Sequence, residues 1–214
     1  KLVTKSEQSL EYMAFQFANK SMVLQRAYSE VARQYRAEKK RVKPELNGEW
    51  RLFQLIFLLM NIAGASDENH EDREVVDLIW FPTGGGKTEA YLGVAAYTMA
   101  YRRLLAPNQI DKYAGITVFM RYTLRLLTTQ QFQRAAALIC AAELLRRQNP
   151  SLFGTEPFSI GLWIGADSSP NSFKDAMDKM EELQKGQEVK ASNPIQLMNC
   201  PWCGTELTHE QYEI

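Results

Sequence analysis

"FPTGGGKTEA", residues 81–90, sets three consecutive glycines before Lys-Thr. Glycine lets a backbone reach positive φ and come close to a ligand with no Cβ in the way. The pattern is that of a phosphate loop. Its N–H groups, with those of a following helix N-terminus, face an anion that the helix dipole also favours. In that reading Lys87 reaches the β- and γ-phosphates and the Thr88 hydroxyl binds Mg²⁺. The usual pattern also wants a glycine five positions before Gly86, and Phe81 stands there.

The flanks predict the fold. "EVVDLIWF" (74–81), "GITVFMRY" (115–122) and "FSIGLWIGA" (158–166) are apolar runs of strand length. Helical patterns at 88–105, 128–149 and 169–186 follow them in turn. Continuous apolar strands alternating with helices imply an α/β fold, a parallel sheet covered on both faces. Upstream, residues 1–41 and 49–64 read as helices, separated by Pro44, Asn47 and Gly48. The basic run at 36–43 reads as a solvated helix end.

Composition is that of a globular protein with a real core, 45% hydrophobic and 23% charged. Lys+Arg and Asp+Glu balance at 25 each, so overall charge makes no case for nucleic acid or for acidic partners. The longest apolar run, Leu55–Met60, is too short to span a bilayer. Three cysteines do not describe a disulfide framework, and a reducing, intracellular location fits better. Cys200 and Cys203 in "NCPWCGTEL" (199–207) form a Cys-x-x-Cys knuckle of the zinc-ribbon kind. A redox reading of that spacing is weaker, because no thioredoxin-type strand precedes it. Zinc wants four ligands, so the expectation is a structural Zn²⁺ completed by a second cysteine pair beyond Ile214. Cys140 reads as a buried small residue, and His70 and His209 as solvated ones.

Pro82-Thr83-Gly84-Gly85-Gly86-Lys87-Thr88 resembles motif I of superfamily 2 helicases, which explains the missing first glycine. "WRLFQ" places Arg51 and Gln54 like the R-x-x-Q segment with which many of those proteins read adenine; a polar position on an apolar helix is the equal alternative. "RYTLRLLTTQQFQR" (121–134) resembles motif Ia, whose hydroxyls, amides and arginines contact a nucleic-acid backbone. Gly165 resembles the short glycine motif that follows it. Taken in order, these segments and "CPWCG" resemble the DrmA-like helicase subunits of DISARM anti-phage defence systems, from about Trp50 to Leu207.

That resemblance implies an incomplete RecA-like ATPase domain over 48–190, after a helical segment at 1–47 and before half of a zinc insertion at 191–214. It implies ATP and Mg²⁺ held by Gln54, Thr83, Gly84, Gly85, Gly86, Lys87, Thr88 and Glu89, with Lys87 and Thr88 catalytic. DNA, single-stranded or with a single-stranded end, would meet Arg121, Thr123, Arg125, Thr128 and Gln130. A bacterial cytoplasmic DNA translocase is implied, partnered by a second DISARM subunit (DrmB-like) and not by a membrane. The alternatives are a restriction-type translocase subunit and a scaffold that does not hydrolyse ATP. No Asp-Glu pair for Mg²⁺ follows the third apolar run, so the chain reads as part of a larger motor.

Overall fold

The structure is a computed structural model that describes residues 9–82, 84–107, 109, 114–122, 125–165 and 168–212, without the side chains of 125–129. The helices are α1 (Leu10–Glu38), α2 (Leu52–Ser66), α3 (Lys87–Leu105), α4 (Arg125–Gln148), α5 (Pro150–Phe153) and α6 (Phe173–Gln184). Single 3₁₀ turns lie at Glu71–Glu74 and His209–Gln211. Among these residues no helix is long and apolar enough to cross a membrane.

The α/β expectation is overturned. Among the described residues there is no strand and no sheet; the nearest thing to one is an isolated antiparallel bridge between Asn199 and Glu206. The three apolar runs meant as buried parallel strands are irregular chain, and many of their large side chains lie in the open, while Val118, Met120 and Phe158 are half-buried against the helical core. Trp80 is 88% exposed and Trp163 is 95% exposed, with Val76, Leu78, Ile116 and Phe119 also exposed. The physical reason lies in where backbone bonds close. A helix satisfies its N–H and C=O groups four residues away, whereas a strand needs a neighbour. Here the helices pack on one another, and no ladder forms between the runs.

The chain divides into two compact units, Lys1–Ala27 with Pro44–Ser159, and Tyr28–Lys43 with Ile160–Ile214. In the first unit the core is helix on helix. Phe17 of α1, Leu58 and Ile62 of α2, Leu92 and Tyr97 of α3, and Leu138 of α4 form one buried cluster. Buried residues Gln54, Leu58 and Ile62 recur every four positions along α2, one stripe of a helix face. Helix α3 has buried Ala90, Ala95, Ala96 and Ala100, whose small side chains allow close approach of neighbours. The Tyr97 hydroxyl meets Ser66 Oγ at 2.5 Å, and burial pushes its pKa up. Phe153 of α5 packs on Phe17, ring centroids 4.6 Å apart.

Helix α4 ends in a buried ion pair. Arg146 donates to both carboxylate oxygens of Glu143 at 2.7 Å and to Gly154 O at 2.8 Å. Glu143 also accepts from the Phe158 N–H at 3.1 Å. Burial pushes this carboxyl up, but the bonds from Arg146, Arg147 and Phe158 outweigh it and hold the pKa at about 2, against an ordinary 4.5.

The second unit holds the cysteine turn. Trp202 stacks on Tyr28 with centroids 3.7 Å apart and planes 11° from parallel. Gly204 has φ +78°, and a Cβ there would lie 2.5 Å from Ala32 O, so only glycine fits. Ser172 caps α6 by accepting from Asp175 N at 3.1 Å.

Because the folded pKa of Glu143 is depressed, its contribution to stability is fully present above pH 4.5 and fades as the pH falls towards 2. Glu143→Gln is expected to destabilise the protein at pH 7 by on the order of 1–3 kcal/mol. Urea unfolding of both proteins across that range should show the gap closing with falling pH.

Candidate functional site

The glycine turn survives the loss of the sheet. Gly85 N donates to Pro82 O at 3.1 Å, closing a four-residue turn. Gly86 then caps α3 in the left-handed region, φ +89°. Lys87 and Thr88 are the first two residues of the helix, which starts one residue before the expected Thr88.

Helix α2 grips this turn from one side. Arg51 Nη1 donates to Gly85 O at 2.6 Å, and Gln54 Nε2 donates to Gly86 O at 2.7 Å. The other end of the Gln54 amide accepts from Arg51 N at 2.9 Å, so a side chain only 5% exposed has both ends engaged. In a trans peptide the C=O and the next N–H point in opposite directions. Fixing the carbonyls of Gly85 and Gly86 on α2 therefore turns the N–H groups of Gly86 and Lys87 away from it. They join the first N–H groups of α3, which a helix leaves without internal partners. A Cβ on Gly86 would come 2.6 Å from Gln54 Nε2 and 3.3 Å from Glu89 Oε2, so the close fit depends on glycine. Phe81 stacks on Phe53 at 4.0 Å between centroids, anchoring the start of the turn.

The charges are distributed around the turn. The Lys87 ammonium donates to Phe81 O at 2.5 Å and to Pro82 O at 3.2 Å. Glu89 Oε1 pairs with Arg134 of α4. Its Oε2 is buried with no hydrogen-bond partner among the described residues. The Thr88 hydroxyl donates to Gln131 Oε1 at 3.3 Å and accepts from the Tyr91 hydroxyl at 3.1 Å. Tyr91 OH also lies 3.1 Å from Gln131 Oε1 and 2.9 Å from Tyr122 OH. Burial first, then the bond to Tyr91, push the Tyr122 pKa up.

Of the expected residues, Gln54, Gly84, Gly85, Gly86, Lys87, Thr88 and Glu89 all lie on this turn or against it. Thr83 and Thr123 lie outside the described residues, as do the side chains of Arg125 and Thr128. Arg121 and Gln130 are exposed, while Val118, Met120 and Tyr122 are half-buried. Sequence reasoning missed Tyr91, Tyr122, Gln131 and Arg134. Tyr91 was the accessible one, since Thr88 and Tyr91 stand three apart on one helix face.

In the second unit, Cys200 N donates to Thr205 O at 2.8 Å and Gly204 N to Cys200 O at 2.9 Å. Burial pushes the Cys203 thiol up, but hydrogen bonding with the Thr205 hydroxyl and backbone, then with Cys200, and the nearby charge of Arg41 bring it below its ordinary value. Two thiols on a tight turn fit half of a tetrahedral zinc site. Among the described residues no three His, Cys, Asp or Glu side chains stand together as a metal group.

Fold and site together define a helical protein that presents a glycine turn and a Lys-Thr pair at a helix N-terminus. No protein-family model matches the chain. It is 41% identical over 211 residues to the DISARM protein DrmA of Bacillus paralicheniformis, covering 96% of this chain and 19% of that relative. The chain is thus a DrmA-like DISARM sequence that spans less than a fifth of the relative's length.

The geometry separates two of the glycines. Gly84→Ala meets nothing within 4 Å and carries only the left-handed strain of φ +78°, about 1 kcal/mol. Gly86→Ala adds the collision with Gln54 and should cost about 2 kcal/mol or more. Equilibrium denaturation should rank the two variants in that order.

Proposed function

We propose that this chain carries the ATP-binding segment of a superfamily 2 DNA helicase or translocase that serves anti-phage defence. The observation that carries the reading is the α2 clasp, which turns the N–H groups of Gly86 and Lys87 outward beside the free N–H groups of α3. Such a nest favours a phosphate, and the helix dipole adds to it. Lys87 supplies the cation and needs only to exchange two backbone carbonyls for phosphate oxygens. Thr88 offers a hydroxyl lone pair to Mg²⁺. Bound ATP would supply the free energy for movement on DNA. The DrmA relative supports the defence setting and a second DISARM subunit as partner.

Gln54 serves this reading as an anchor of the loop, since its amide is engaged at both ends. Arg121 and Gln130, both exposed, remain the residues of the 121–134 segment that would meet a nucleic-acid backbone. Cys200 and Cys203 would provide two of the four ligands of a structural zinc. Zinc analysis of the intact protein should find about one equivalent, lost in Cys203→Ser.

Lys87→Ala in the intact protein is expected to lower affinity for Mg²⁺-ATP at least about tenfold and to abolish DNA-stimulated hydrolysis. Its thermal unfolding should stay close to that of the native protein, because Lys87 is on the surface of the turn. Unchanged ATP binding and turnover in this variant would overturn the assignment.

A further inference from the structure

Four polar atoms meet behind the Lys-Thr pair: Thr88 Oγ1, Tyr91 OH, Tyr122 OH and Gln131 Oε1. Their protons can be counted. The Gln131 oxygen has none, so the Thr88 hydroxyl donates to it. Tyr91 has one proton and three neighbours within 3.1 Å: Thr88 Oγ1, Gln131 Oε1 and Tyr122 OH. It cannot serve all three well at once. The group therefore has alternative arrangements, and the Thr88 lone pairs decide between them. With a lone pair free, Tyr91 donates to Thr88. Were that lone pair given to a divalent cation, the Tyr91 proton would turn to Gln131 or Tyr122 instead.

Both of those acceptors belong to the 121–134 segment. Tyr122 follows exposed Arg121, and Gln131 follows exposed Gln130. The ion pair of Glu89 with Arg134 ties the same two helices together beside this group. Thus the residue expected to sense the nucleotide's metal shares a proton with the residues that hold the two exposed groups in place. We infer that Tyr91, Tyr122 and Gln131 are positioning residues that link occupancy at Thr88 to nucleic-acid affinity along 121–134. The inference rests on the nucleotide reading above and deepens it.

Linkage is reciprocal, so each ligand must change the affinity of the other by the same factor. The test uses the intact protein and a fluorescently labelled single-stranded DNA oligonucleotide, titrated with and without Mg²⁺ and a non-hydrolysable ATP analogue. The native protein should show a change in DNA Kd of about fivefold or more. Tyr91→Phe and Gln131→Met should each bring that ratio to within about twofold of unity. Tyr122→Phe is the sharper variant, since its hydroxyl does not touch Thr88. It should weaken the linkage while leaving the affinity for the analogue without DNA unchanged, which a purely structural role would not do. Linkage that persists in all three variants overturns the inference alone. So does a native protein that binds the analogue but shows no DNA binding or no linkage. Failure of the native protein to bind the analogue overturns the nucleotide reading and this inference together.

Discussion

The site depends on two carbonyl groups. Gly85 O and Gly86 O are held by Arg51 and Gln54, at 2.6 and 2.7 Å. A hydrogen bond from a charged donor is worth more than a neutral one, and the Gln54 bond is also shielded from water. Together they decide which way the turn's peptide planes face. Without them the glycines would sample many orientations, because that freedom is what makes glycine usable there at all. The clasp therefore converts a flexible tripeptide into a fixed surface of N–H groups before any ligand arrives. Preorganisation of that kind reduces the entropy lost on binding.

The buried polarity of Gln54 follows from the same constraint. A carboxamide this deeply buried would be costly if either end lacked a partner. Here the oxygen takes the Arg51 N–H and the nitrogen gives to Gly86 O, so one side chain caps α2 and grips the next helix. Helix α2 needs such a tie because its start and the turn lie 32 residues apart in the chain. The apolar stripe of Leu58 and Ile62 below Gln54 sets the height at which the amide meets the turn.

Helices and loop were legible in the sequence; the sheet was not. Expected helices at 49–64, 88–105 and 128–149 appear as Leu52–Ser66, Lys87–Leu105 and Arg125–Gln148. A helix closes its bonds locally, so its periodicity and its glycine start are written in consecutive residues. The apolar runs at 74–81, 115–122 and 158–166 carried no such local closure. Short apolar runs announce a strand only if a partner exists, and none formed here: Trp80 and Trp163 lie exposed, while Val118, Met120 and Phe158 found cover against the helices without a ladder. The same logic divides the site. Gly86, Lys87 and Thr88 stand side by side in the sequence, whereas Tyr91 of α3, Gln131 of α4 and Tyr122 of the irregular chain before α4 meet only through the fold. The amides that hold the turn were half legible, since the Arg51–Gln54 spacing stood out but its target did not.

Loss of the sheet does not remove the chemistry proposed for the turn, and the reason is physical. An anion at a helix start feels the first N–H groups and the partial charge of the helix end, and these effects fall off within about one turn. What must be exact is local: the φ of Gly86, the direction of two peptide planes, and the reach of Lys87. A strand entering the loop is one way to hold that geometry. In this chain the Pro82–Gly85 turn, the stack of Phe81 on Phe53 and the two bonds from α2 hold it instead. The demand on the rest of the unit is then only that α2 stay fixed against α3, and the buried cluster around Leu58, Leu92 and Tyr97 meets it.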